Sequence, residues 1–285
     1  MYGDLFKKSL SDLKEEPKLV LPLVFLILST VVVGILVVLL SGILPEFGKV
    51  FATFSSSKGQ DIDQALSLFL QNNWKRLIIA LLGFLFANFF VGSTFRAMHY
   101  IWIKEKTTGK KPVWKGLWKE TKRMYWGVVG MRLFTLLIPF VFLAVSLGTG
   151  FVVVFLLSKV FIPLAVFFGV LFAILTVGII ILTGLGLSFR YPSLFLKKKA
   201  PWQAIRSSFL FFKQNVGHVI VVAVIAIAVS AGVGLIQRVL MIPVTPTIFV
   251  SILLYMGLTI LIELVFNVVL SVWRDLFYFR AYQKR

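Results

Sequence analysis

Apolar residues along this chain come in long runs, and the polar residues gather in short clusters between them. Runs at about 19–44, 77–103, 125–157, 160–189, 216–236 and 247–272 each reach the ~20 residues that a helix needs to cross a ~30 Å hydrocarbon core. None alternates with the period of two expected of an outer-membrane strand. The pattern predicts an all-α polytopic bundle of six transmembrane helices, built as a single integral membrane domain. Pro45 closes the first run, and Ser55-Ser56-Ser57-Lys58-Gly59 is the loop-like centre of a polar stretch, 46–76, with an amphipathic piece near Ala65 to Leu70, expected to be the largest external segment. Runs three and four are parted only at Ser158-Lys159, with Pro163 suited to the first turn of the fourth. Pro139 and Gly148-Thr149-Gly150 predict kinks within the third.

Three shorter stretches carry apolar residues at helical spacing, each ahead of a pair of runs. They are Leu5, Phe6, Leu10 and Leu13 in 2–16; Trp114, Leu117, Trp118 and Tyr125 in about 112–124; and Trp202, Ile205, Phe209 and Phe212 in 201–213. Lys or Arg, including Lys115, Lys119 and Arg206, occupies other positions in all three. A helix lying in the membrane interface needs that combination: an apolar face in the acyl boundary and a basic face toward anionic headgroups. The expected layout is three units, each an interfacial helix plus a membrane hairpin, with Trp114, Trp118 and Trp202 at headgroup level. The competing reading makes each stretch a cytoplasmic extension of the next span.

Charge orients the bundle. If the termini and the loops at 104–124 and 190–215 face the cytoplasm, those segments hold 22 of the 30 Lys and Arg, whereas the opposite side holds 6. That excess satisfies the positive-inside rule. It also accounts for most of the net charge of +19 without nucleic acid, since the basic residues flank spans rather than forming a domain of their own. Hydrophobic residues make up 59% of the chain, above the ~45–50% of soluble domains, so the cell membrane is the expected location. The first run is too long for the apolar core of a signal peptide and is expected to be retained.

Reactive chemistry is sparse. The chain has no cysteine, and its two histidines, His99 and His218, stand near opposite span ends. No H-E-x-x-H, G-x-S-x-G or phosphate-binding loop occurs, and Ser207-Ser208 is flanked by Arg206 and Phe209 rather than by a base. No catalytic residue, cofactor or metal site is expected. Three charges do fall inside spans: Arg96, Arg132 and Glu263, at depths of about 12, 10 and 14 Å from the inner boundary at ~1.5 Å per residue. Asn267 lies one turn from Glu263 on the same helix face. Glu263 is expected to face the interior and meet one of these arginines; the alternative is that each arginine snorkels alone. Ala226, Ser230 and Gly234 form a small-residue row that allows a close helix approach.

The stretch RYPSLFLKKKAPWQAIRSSFLFFKQNVGHVIV, from Arg190, resembles the multi-helix membrane domain found ahead of some glycerophosphodiester phosphodiesterases and in stand-alone YciC-like proteins. Ala204, Ser208, Lys213 and Asn215 stand where that group has an Ala-x-x-x-Ser helix and a Lys-x-Asn start of the next span. The resemblance implies a helical membrane fold and brings no catalytic motif. Two functions are expected to compete: a non-catalytic protein engaging anionic lipid headgroups or a membrane partner, and a small transporter or channel with a polar path near Glu263.

Overall fold

A computed structural model describes residues 1–46, 48, 50, 60–240 and 249–284, with side chains except at 60–63, 239–240, 249–261 and 263. The regular elements among them are helical. They are α1 (Tyr2–Glu15), a 3-10 turn (Pro17–Val20), α2 (Leu21–Leu40), α3 (Gln60–Thr107), α4 (Leu117–Ser158), α5 (Ile162–Leu187), α6 (Arg190–Leu196), α7 (Pro201–Gln214), α8 (Val216–Leu240) and α9 (Phe249–Gln283). Five helical stretches among the described residues are long and apolar enough to cross a membrane: Pro17–Leu40, Gln64–Thr107, Leu117–Ser158, Ile162–Leu196 and Val216–Arg238. Their large apolar side chains, such as Ile79, Phe140, Phe151 and Ile174, are mostly exposed, as acyl chains rather than water would permit. Helix α9 covers the sixth predicted run, most of whose side chains lie outside the described residues.

The chain divides into two compact units, 21–96 and 1–20 with 97–285. In the first, α2 and the leading part of α3 pair through a hydrogen bond from the Thr30 hydroxyl to Asn88 Oδ1, 3.0 Å, and through Phe25 beside Phe95. In the second, α4 and α5 run antiparallel from the turn at Lys159. The Ser146 and Thr176 hydroxyls share a hydrogen bond of 2.6 Å, and the Phe172 ring lies so close to Gly150 that a Cβ there would stand 3.1 Å from it. The core of this unit sits where α1, α6 and α7 meet the ends of α3, α8 and α9. Leu5, Phe189, Val219, Val222, Trp273 and Phe277 are buried together there, and Tyr100 stacks on Tyr191 at 4.1 Å.

One sequence expectation is corrected, at 112–124. The amphipathic piece near 65–70 belongs to the first turns of α3, a stretch, 60–76, that contains neither Gly nor Pro and is rich in helix formers. Pro139 and Gly148-Thr149-Gly150 lie inside α4. Residues 112–124 are not a separate interfacial helix: Pro112 and Gly116, at φ 90°, hold the chain irregular up to Leu117, after which α4 continues into the third run. The extension reading holds at this stretch.

Candidate functional site

Helix α1 presents Leu5, Ser9 and Asp12 on one stripe, all buried against α9 and the 3-10 turn. Its inner face is therefore protein-bound rather than lipid-bound, and only Leu10 of its predicted apolar set is exposed. A carboxylate on such a stripe needs partners. Arg280 of α9 supplies them, donating from Nε and Nη2 to Asp12 Oδ2 at 2.9 and 2.7 Å. Lys106, at the end of α3, donates to Glu15 Oε2 at 2.7 Å and lies 3.9 Å from Asp12 Oδ1. Glu15's carboxyl sits below its usual range, first because Lys106 hydrogen-bonds it and then because Ser11 does.

The same arginine completes a helix end. After Thr107 the chain turns through Gly109 at φ 79°, with Lys110 N–H bonded to Glu105 C=O and Gly109 N–H to Lys106 C=O. That is a Schellman closure, which leaves the Thr107 carbonyl open. Arg280 Nη1 donates to it at 3.1 Å. One guanidinium thus ties α1, α3 and α9 together, and a cation rests where the dipole of α3 ends. A cleft of about 390 Å³ opens beside it, bordered by Lys8, Glu16, Lys110 and Lys111.

Both histidines also join distant segments. His99, 1% exposed, pairs through Nε2 with Asp275 Oδ2 at 2.9 Å. His218 Nε2 donates to the Ala281 carbonyl at 3.2 Å, which leaves Nδ1 to accept from the Tyr2 hydroxyl at 3.0 Å. Ser208 of α7 does comparable work at the break between α5 and α6. Its hydroxyl accepts from Phe189 N–H and donates to Gly186 C=O, groups that the interrupted helix would otherwise leave unbonded in the core. Ala204 is fully buried on the same face, and Asn215 closes α7 by bonding Phe211 C=O through its side chain.

The predicted site residues divide sharply. Trp118 and Trp202 are 54% and 58% exposed, Lys122 Nζ lies 5.6 Å above the Trp118 ring, and Lys115, Lys119 and Arg206 are exposed around them. Trp114 is half-exposed on irregular backbone, its ring against buried Trp102. The intramembrane cluster turns on Glu263, whose side chain lies outside the described residues; Asn267 is exposed on α9, Arg132 is half-buried on α4, and Arg96 lies in the unit 21–96. Of the small-residue row, Ala226 is buried, Ser230 bonds back to Ala226 C=O, and no described atom lies within 4 Å of a Cβ built on Gly234.

No protein-family model, curated protein or solved structure matches this chain.

Proposed function

We propose that this chain is a non-catalytic, six-span protein of the cell membrane, with both termini in the cytoplasm and a basic cytoplasmic face that engages anionic lipid headgroups. The observation that carries the reading is the separation of charge. From 121 to 262 the sequence has no Asp or Glu, yet Lys122, Arg123, Lys197, Lys198, Arg206 and Lys213 are exposed there, alongside Trp118 and Trp202. Cations without carboxylates, interleaved with exposed indoles, match a surface of phosphates above acyl chains. Helix α7 supports this with two faces: Ala204, Ile205 and Ser208 inward, and Trp202, Arg206 and Leu210 outward at successive fourth positions.

Thermal unfolding in nanodiscs of phosphatidylcholine with and without phosphatidylglycerol tests it. The expected result is a higher Tm with phosphatidylglycerol at low salt, and a smaller gain near 1 M salt, where the screening length falls to ~3 Å. Equal Tm values in both lipids overturn the headgroup reading. Reporter fusions at Lys110 and Lys198 test the orientation separately, and an external Lys110 reverses it.

A further inference from the structure

We infer that the groove between α4 and α7 binds one acyl chain of an anionic glycerophospholipid whose phosphate rests on Arg206. This builds on the headgroup reading above and assigns it a discrete site. The groove holds about 600 Å³, within the ~300–1,000 Å³ of pockets that enclose one small ligand. One wall is the α4 stripe of Phe134, Leu137, Ile138, Val141 and Phe142, at the spacing of a single helix face. The two helices are closest at one end, where a Cβ on Gly130 would stand 3.1 Å from Pro201 and the Trp202 ring meets Phe134 at 5.6 Å. The α7 wall is held in place: Ile205 is buried, and the Phe209 ring fills the space where a side chain on Gly186 would be.

Among the described residues, Arg206 is the one charged residue lining the groove. Leu137, Val141 and Phe142 are 45–54% exposed, an apolar strip that prefers hydrocarbon to water. An acyl chain satisfies that strip but leaves the guanidinium unmatched. Arg206 makes no hydrogen bond or ion pair among the described residues, and no carboxylate lies within 56 positions of it on either side in sequence. A phosphodiester offers the planar fork two acceptor oxygens. Zwitterionic and anionic lipids both carry that phosphate, but only the anionic one keeps a net negative charge for the arginine and its unpaired neighbours.

Native mass spectrometry of the delipidated full chain, titrated with dioleoyl phosphatidylglycerol or phosphatidylcholine, reads the site. One phosphatidylglycerol is expected to be retained about tenfold more tightly than phosphatidylcholine, because both phosphates reach Arg206 but only phosphatidylglycerol keeps a net negative charge for it. Arg206→Gln should keep one lipid but lose the preference. Leu137→Trp, which fills the groove, should lose the retained lipid of either kind, and Val141→Phe serves if Leu137→Trp does not fold by circular dichroism. Val166→Trp, exposed on α5 and off the groove, should leave retention unchanged. Equal retention of the two lipids by the native chain overturns the proposal, as does unchanged retention in a folded groove-filling variant. A nanodisc Tm gain that persists without any saturable lipid removes the groove alone. A retained phosphatidylglycerol without that gain removes the wider basic face alone.

Discussion

Where α1, α3 and α9 meet, Arg280 and Lys106 are 13% exposed and face Asp12 and Glu15. Along α4 and α7, Lys119, Lys122, Arg206 and Lys213 are exposed and face no acid. The two regions use the same cationic chemistry in opposite ways. In the first, charge is consumed within the chain, fastening the N-terminal helix and the C-terminal helix to the last turn of α3. In the second, charge is left without an acid beside it. A net charge of +19 is therefore not spread evenly: it is paired where the fold closes on itself and unpaired along α4 and α7.

The comparison breaks most visibly at Asp12. Replacing it by Ala leaves the Arg280 guanidinium desolvated without its counter-charge, and breaking such a pair costs about 3–5 kcal/mol. Chemical unfolding in mild detergent measures this. Asp12→Leu combined with Arg280→Met should cost less than either single change, because an apolar pair carries no stranded charge. If the double variant is the least stable of the three, the clasp contributes through the Thr107 carbonyl rather than through the ion pair. Next in size is Ser208→Ala, which strands the Phe189 N–H and the Gly186 carbonyl and should cost about 1–3 kcal/mol.

Two carboxylates beside the clasp give opposite pH responses. Glu15 is held below its ordinary value of 4.5 by Lys106, so its stabilising share is complete above 4.5 and fades as pH falls through the lower folded value. Glu105 is held above 4.5, first by burial and then by the charge of Glu120, and its Oε2 is buried without a partner. Ionising it costs stability in the folded chain, so the penalty is present above the folded value and absent below 4.5. Glu105→Gln should therefore raise Tm at neutral pH, whereas Glu15→Gln should lower it; the first difference should vanish below 4.5, the second only below the lower folded value of Glu15. Tm measured across pH checks both signs, and a fall in Tm for Glu105→Gln at neutral pH would show that its carboxylate is partnered.

The sequence revealed these regions unequally. Helix starts marked by Pro were legible: α7 begins at Pro201, and α5 at Ile162 ahead of Pro163. Trp118, Trp202 and Arg206 are exposed beside basic residues. At 112–124 side-chain periodicity alone misleads, because Pro112 and Gly116 limit the backbone. The clasp was not legible, since Asp12 and Arg280 are 268 positions apart and His99 and Asp275 are 176 apart. One local signal existed. Asp12 continues the stripe of Leu5 and Ser9, and a charge on a buried stripe demands a partner even when the partner cannot be named.

The smallest expected effect on stability sharpens the comparison most. Lys119 and Lys198 are exposed, and neither makes a hydrogen bond or ion pair among the described residues. Replacing each by Ala should change unfolding free energy by no more than about 0.5 kcal/mol, the usual range for surface positions. Lys198 adds a conformational reason for a benign change to glycine, because its backbone sits at φ 50°. In phosphatidylglycerol nanodiscs the same substitutions should reduce the lipid-dependent Tm gain, since each cation near an anionic surface contributes about 1 kcal/mol to its attraction. Asp12→Ala should do the reverse, lowering Tm in every lipid by a similar amount. If Lys119→Ala and Lys198→Ala lower Tm equally in phosphatidylcholine and phosphatidylglycerol, their charges serve the fold itself, and the division between a closed and an open use of charge fails.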